Sequence, residues 1–327
     1  MRQIVSVAGV ALSLALATPA AATAADLKMV SGFPLNFILT EEIAKPFVAA
    51  LEAASNGGIK IELSGPDAVP TFEQFEPVQA GVFEMLFTHP AYHSGTTGVG
   101  LAIDGIGSDP AKRREAGVFD YVAKHYEGLG MKLIAAPPTG TKGFRYFLRQ
   151  PIAGSPGLEG RKIRGTVSYH PMIRALGGSP VNMPGGEIYT SLQKGVIDGA
   201  AWGLTGAKDF KWYEVADYYA EPVFGQVGVM IFMNLDAWNA LPAETQALIE
   251  AEAIKLERDT VARFDKLAAS ELEALKGFGM KQTTFAPEDA NRLETLWENG
   301  VWQVAIDKSG ADAEGLRELA RKAGLTR

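Results

Sequence analysis

The sequence contains no cysteine, which excludes disulfides, thiolate nucleophiles, iron–sulfur clusters and Cys-type zinc sites. Histidine is scarce too, limited to His89, His93, His125 and His170. Basic residues are in the minority, 31 Lys and Arg against 38 Asp and Glu, for a net charge of -7. A protein that grips a phosphate backbone needs a basic face, so nucleic acid is not an expected partner. Several enzyme signatures are also missing. No Gly-Lys dipeptide closes a Walker loop, no His-Glu pair opens a zinc-protease helix, and no Gly-x-Ser-x-Gly elbow occurs. Gly105-Ile106-Gly107 lacks the third glycine of a dinucleotide loop, and Ser108-Asp109-Pro110 after it reads as a turn.

Long apolar runs are missing except at the start. Arg2 is followed by an apolar stretch from Ile4 to Ala17, then Thr18-Pro19 and small residues ending Ala22-Thr23-Ala24-Ala25-Asp26. That order is the order of a secretory leader, and the apolar stretch is shorter than the ~18–20 residues of a membrane-spanning helix. The reading is a leader over residues 1–25, a soluble periplasmic protein beyond it, and no lipid anchor, because no cysteine follows the cleavage region. Arg2 is the only charge in the leader, so its removal takes the net charge from -7 to -8 (-7 minus 1). An anion site must then be built from particular cations, against the overall field.

What remains is rich in packing material: 327 residues, 47% hydrophobic and 21% charged. At ~150 residues per domain this suggests two lobes, each able to bury its own core. Strand patterns at 27–30, 59–63 and 85–87 alternate with helical patterns at 40–54 and 71–81, which predicts a largely parallel sheet covered by helices. A helix at 113–129 and strands at 132–136, 144–148 and 162–164 follow. A helix at 185–195 is expected to bury Ile188, Leu192 and Val196 on one face. Val227 to Met233 reads as a buried central strand. After Leu241-Pro242, apolar residues from Leu248 to Leu275 recur at helical spacing with no Gly or Pro until Gly277. A helix of that length, roughly 50 Å, exceeds a lobe's diameter and predicts a brace across both, leaving a cleft suited to a small molecule.

The candidate chemistry is sparse. Pro90 and Gly95 break any helix that would put His89 and His93 on one face, so a helical metal pair is not expected, while a loop zinc site with His170 stays open beside plain hydrogen-bonding roles. His89 and Tyr92 follow the strand end Phe87-Thr88, the place where open α/β sheets put ligands. Arg145 lies inside the apolar stretch Gly143–Leu148, and Arg164 closes Lys162-Ile163-Arg164. An arginine in an apolar strand needs an acceptor. That acceptor is either an internal acid such as Glu187 or Asp198, or a ligand carboxylate held by the guanidinium fork.

The blocks Pro156–Arg164, Leu176–Pro184 and Glu187–Gly199, together with Gly143-Phe144-Arg145, Trp212-Tyr213-Glu214-Val215 and the long helix, closely resemble the periplasmic solute receptors of TRAP (tripartite ATP-independent periplasmic) transporters. The resemblance implies an α/β, two-lobed periplasmic binding protein with a hinge, crossing strands and a long bracing helix. Residues 26–142 and 228–267 would form one lobe, 143–227 and 268–327 the other. It further implies capture without chemistry and delivery to the small and large membrane subunits of a permease. Arg164 matches the arginine that pairs with a ligand carboxylate, and Arg145 one that contacts or supports the ligand. One departure follows Asp198-Gly199. Ala201 stands where the keto-acid branch has a metal-holding Glu, so no metal or other cofactor is expected. Trp202, with Tyr169, Phe33 and Tyr92, favours an organic monocarboxylate with an apolar or aromatic body, and His170 or Tyr169 could add a hydrogen bond. The alternatives are a sulfonate, an ectoine-like zwitterion, or a periplasmic enzyme using His89, His93 or His170 on a small acid.

Overall fold

The structure, a computed structural model, describes residues 25–327. The expected leader therefore lies outside the described residues apart from Ala25. The described residues build eleven strands: β1 (Ala25–Ser31), β2 (Ile59–Ser64), β3 (Met85–Thr88), β4 (Met131–Ala135), β5 (Phe144–Leu148), β6 (Lys162–Arg164), β7 (Ser179–Val181), β8 (Gly199–Gly203), β9 (Tyr218–Glu221), β10 (Met230–Asn234) and β11 (Lys281–Thr284). Between them run helices α1 (Lys45–Ala54), α2 (Phe75–Gln79), α3 (Pro110–Glu115), α4 (Val118–Glu127), α5 (His170–Ala175), α6 (Ile188–Gln193), α7 (Leu235–Asn239), α8 (Ala243–Gly277), α9 (Pro287–Ala290) and α10 (Leu293–Lys322).

The strands divide into two sheets, ordered β2-β1-β3-β10-β4 and β11-β9-β5-β8-β6-β7. In the first, β1, β2 and β3 are parallel and β10 runs against both of its neighbours. In the second, β5 runs against β8 and β9 while the other pairings are parallel. Each odd strand is the one that arrives from the other sheet: β4 leads across to β5, and β9 leads back to β10. The two connectors pair as an antiparallel ribbon, bridged at Pro138 with Gly228 and at Phe144 with Phe224.

Buried backbone amides in such a crossing need acceptors, and acids far away in sequence provide them. Glu257 Oε1 accepts from Ala136 N at 2.7 Å, Asp104 Oδ1 from Gly228 N at 3.1 Å and Asp265 Oδ1 from Thr141 N at 2.7 Å. Two of these acids sit on α8, a single helix of 35 residues, hence ~50 Å long. It buries Ile249, Ala253, Leu256, Glu257, Thr260, Phe264, Glu271 and Leu275 along one side, and the apolar members join a core cluster drawn from both sheets. The long brace expected from the periodicity is thus present, and its stripe includes two acids that hydropathy alone would place in water.

The second long element is the C-terminal helix α10. Arg321 and Lys322 are exposed, but α10 buries Leu293, Trp297 and Val301 with the second sheet and Trp302, Ala305, Leu316 and Ala320 with the first. It bends at Gly310, the one residue in it without helical backbone angles. Val196 also differs from expectation: α6 stops at Gln193, so Val196 lies beyond the helix and is exposed while Ile188 and Leu192 are buried.

Where α10 meets the ribbon, Trp297 is fully buried, packs on Phe144, Tyr169 and Phe224, and donates from Nε1 to Asp104 O at 2.9 Å. Trp297→Ala is expected to lower unfolding stability by about 3–5 kcal/mol in urea titrations, the range for removing a buried aromatic ring. A loss under ~1 kcal/mol would contradict this packing role.

Candidate functional site

The ribbon forms one wall of a partly open pocket that lies between the two sheets. Thr139, Phe144 and Val227 come from the ribbon, while Phe33, Leu39, His89 and Tyr92 come from loops of the first sheet. The second sheet and its loops contribute Arg164, Thr166, Tyr169, Trp202, Gly203 and Thr205. A neighbouring pocket shares Phe33, Tyr92 and Trp202 with it and is also lined by Pro34, Pro66 and Gly185. Of the residues singled out from sequence, the structure gathers Phe33, His89, Tyr92, Arg164, Tyr169 and Trp202 around this one space. Arg145 and His170 lie outside its lining.

Arg164 ends β6, and alternation along so short a strand sends Ile163 into the core of the second sheet and Arg164 to the cavity side. Its side chain is 1% exposed. Nε and Nη2 donate to Met183 O at 3.0 and 2.9 Å, and Nη1 donates to Ala201 O at 3.3 Å. A guanidinium has five N–H groups, so these three carbonyl bonds leave two, one on each terminal nitrogen, with the Tyr92 hydroxyl beside them. Trp202 lies with its ring centroid 4.8 Å from the guanidinium carbon, a cation–π contact. Neither Glu187 nor Asp198 pairs with Arg164: its charge neighbours are the phenols of Tyr92 and Tyr169. Burial lowers the Arg164 pKa without removing the charge of so strong a base.

The phenols remain protonated donors at neutral pH. Burial pushes Tyr92 up to about 12, with Arg164 pulling in the other direction, and raises Tyr169 as well. Phe33 packs on Phe37, Phe87 and Tyr92, continuing the aromatic wall. The Thr166 hydroxyl, buried and without a partner, adds a polar group to the lining. His89 accepts from Ala91 N through Nδ1 at 3.2 Å, which places its proton on Nε2. That nitrogen lies 3.1 Å from Oδ2 of fully buried Asp104, off the line of a hydrogen bond.

Arg145 follows Phe144 in β5 and therefore points to the opposite side of the sheet. There it pairs with Glu221 at 2.9 Å and lies over the Tyr219 ring. The internal acid is Glu221, rather than the Glu187 or Asp198 considered from sequence. His170 bonds through Nε2 to Gly165 O at 3.1 Å and steadies the turn after Arg164. The histidines do not converge: His93 stacks on Phe75 and bonds to the Tyr126 hydroxyl at 2.7 Å, away from His170. Thr139, Val227, Thr205 and Asp104 were missed from sequence. Only Asp104 carried a signal, a lone acid in the apolar run Val99–Ile106.

Burial lowers the His93 pKa from 6.5 to about 3. The unfolded chain takes up a proton below about pH 6.5 that folded His93 refuses, so this contribution to stability is complete above that pH and is lost as pH falls towards 3. Its share at pH 5 is expected to be about 2 kcal/mol below that at pH 7. Urea titrations of wild type and His93→Gln at both pH values measure it, and equal pH dependence of the two would refute it.

Comparison with known proteins agrees with this architecture. The family model of the bacterial extracellular solute-binding proteins, family 7, matches residues 36–305. A monocarboxylate 2-oxoacid-binding periplasmic protein of Nostoc sp. is 26% identical over 275 residues, covering 80% of this chain and 74% of that protein. An ectoine/5-hydroxyectoine-binding periplasmic protein of Ruegeria pomeroyi is 28% identical over 151 residues, covering 45% and 43%. Among solved structures, a TRAP periplasmic solute binding protein of Desulfovibrio salexigens with bound orotic acid has a TM-score of 0.81 at 21% identity, covering 91% of this chain and 98% of that one. With a matching family model across most of its length, two sheets joined by a crossing ribbon and a pocket between them, the chain belongs to family 7 of the bacterial extracellular solute-binding proteins, the periplasmic receptors of TRAP transporters, and is a solute receptor rather than an enzyme.

Proposed function

We propose that this receptor captures a small monocarboxylate, with its carboxylate on Arg164 and its apolar or aromatic body against Phe33, Tyr92, Tyr169 and Trp202. The observation that carries the reading is a buried guanidinium that faces the pocket with two N–H groups not taken by backbone carbonyls, the Tyr92 hydroxyl beside them and, among the described residues, no acid partner. N–H groups on the two terminal nitrogens can meet the two oxygens of a carboxylate, and an anion relieves the cost of a buried unpaired cation. Among the described residues no Asp or Glu lines the cavity, and Arg164 is the only Arg or Lys that does. A second carboxylate would be desolvated without a partner, which disfavours dicarboxylates. The 2-oxoacid-binding relative supports an acid ligand. An ectoine-like zwitterion is the second reading, favoured by the aromatic wall, which can face a delocalised cation.

In this reading the leader over residues 1–25 is removed on export and the mature receptor works in the periplasm. The lobes, residues 26–142 with 228–267 and 143–227 with 268–327, close about the ribbon while α8 and α10 lie against both. The closed form docks on the small and large subunits of the permease. Closure reports occupancy only if ligand stabilises the closed state more than the open one.

A thermal-shift screen of the mature protein against aliphatic and aromatic acids, sulfonates, ectoine and sugars tests the ligand class. Saturating acid is expected to raise Tm by several degrees, and silence across all acids would overturn the carboxylate reading. For the best acid, Arg164→Ala is expected to cost about 3–5 kcal/mol, a hundredfold to several thousandfold in Kd by calorimetry. A change under ~fivefold, ~1 kcal/mol, would overturn the role of Arg164. Because Ala201 supplies no carboxylate for a bridging cation, EDTA is expected to leave Kd unchanged within ~twofold. Calcium-dependent affinity would restore a metal-bridged mode.

A further inference from the structure

Glu271 on α8 is 5% exposed and has both carboxylate oxygens committed to backbone amides of the second lobe. Oε2 accepts from Gly206 N at 2.8 Å and Oε1 from Lys208 N at 3.0 Å. Among the described residues no Lys or Arg forms an ion pair with it. The charged groups that act on it are Lys208 and Asp209 of the turn and, more distantly, Arg145 of β5, itself paired with Glu221 of β9. A buried carboxylate without a paired cation is costly, and two charge-assisted bonds to one short segment offset that cost only if the segment stays in place.

That segment follows Trp202 and Gly203 and faces the other lobe across the mouth of the cavity. Thr205 lines the cavity itself. Gly206 has φ +102, and a Cβ there would lie 2.4 Å from the Phe37 ring, so only glycine lets the first lobe approach this closely. Phe210 stacks on Phe37 with ring centroids 4.8 Å apart. Asp209 Oδ2 accepts from Ile38 N at 3.1 Å, at the entrance of the helical run that leads into α1. Such an amide has no acceptor within its own helix and favours a negative partner. The turn is therefore held on one side by α8 and grips the first lobe on the other.

We propose that Glu271 is a positioning residue for ligand retention: from α8 it fixes the 204–211 turn so that Asp209 and Phe210 meet Ile38 and Phe37 when the cleft is closed. The role in retention rests on the capture reading above. The hold on the first lobe does not, and it can be read without ligand.

Amide hydrogen exchange followed by NMR on the ligand-free wild type and Glu271→Gln tests the proposal. Gln keeps the side-chain shape but turns an NH₂ towards one of the two amides. Exchange of Gly206 and Lys208 is expected to speed up at least ~tenfold, and Ile38 in the other lobe at least ~threefold, with α8 and both sheets unchanged. Ile38 unchanged within error, or uniform loosening of the whole chain, would reduce Glu271 to a strut of the fold. If Glu271→Gln does not fold, free exchange of Gly206 and Lys208 in the wild type alone would overturn the proposal, and protection of both would support it. Orotate and pyruvate then serve as probes, and Glu271→Gln is expected to release whichever binds about tenfold faster. Equal release rates would overturn the role in retention. If neither acid binds the wild type, the capture reading fails for these acids, while the exchange at Ile38 still decides whether Glu271 positions the turn.

Discussion

The antiparallel ribbon formed by the two connectors is the constraint on which the rest of this molecule depends. Because the chain leaves each sheet and returns to it in the opposite sense, each sheet contains one strand running against its neighbours. The same ribbon provides Thr139, Phe144 and Val227 to the cavity wall. A ribbon of two strands is flanked by no further strands, so its amides look outward for acceptors, and Asp104, Glu257 and Asp265 meet them. Two of those acids lie on α8, which joins the brace to the crossing by charge-assisted bonds as well as by apolar packing.

The placement of charge follows from that arrangement. The buried acids are engaged by backbone amides, and Glu257 also by Arg114 at 2.6 Å. Asp104 stands behind His89 rather than in the cavity, and Glu221 occupies Arg145 on the far side of β5. Among the described residues Arg164 is left as the lone Arg or Lys of a lining that holds no acid. Its neighbours, three carbonyl bonds and an indole face, hold the guanidinium in position without neutralising it. An ion buried this deeply costs several kcal/mol even after relaxation. That is a large share of the 5–15 kcal/mol by which a typical domain is stable. The size of that cost gives the proposed carboxylate its physical rationale.

Elements with a strong period were legible in advance. The stripe from Ile249 to Leu275, the α/β alternation of the first hundred residues and the apolar run into β10 all appear close to their expected limits. The strands β7, β8, β9 and β11 were not anticipated: each has three to five residues, too few to display a period, and none has a run of large apolar residues like that of β3. β8, with the sequence Gly-Ala-Ala-Trp-Gly, has no β-branched residue either. Its small residues make sense only beside their neighbours, since Trp202 needs the space beside Gly185, where a Cβ would lie 2.6 Å from the ring.

From the sequence alone one can determine what is local or additive: the absence of thiol chemistry, the acidic balance, the long amphipathic helix, and the family through its ordered motifs. One can also see that Arg145 and Arg164 each need an acceptor, because an arginine in an apolar strand is costly wherever the chain goes. Which acceptor each receives was decided by tertiary structure. Strand alternation turned Arg145 away from the cavity towards Glu221, and no acid was brought to Arg164. Likewise Asp104, Glu257 and Glu271 are ordinary acids when read in line, and only the crossing of the chain brings unpaired amides to them. Those pairings span 65 to 124 residues, and the physics that selects them, desolvation of a buried charge against the bonds that satisfy it, acts only once the distant segments are packed together.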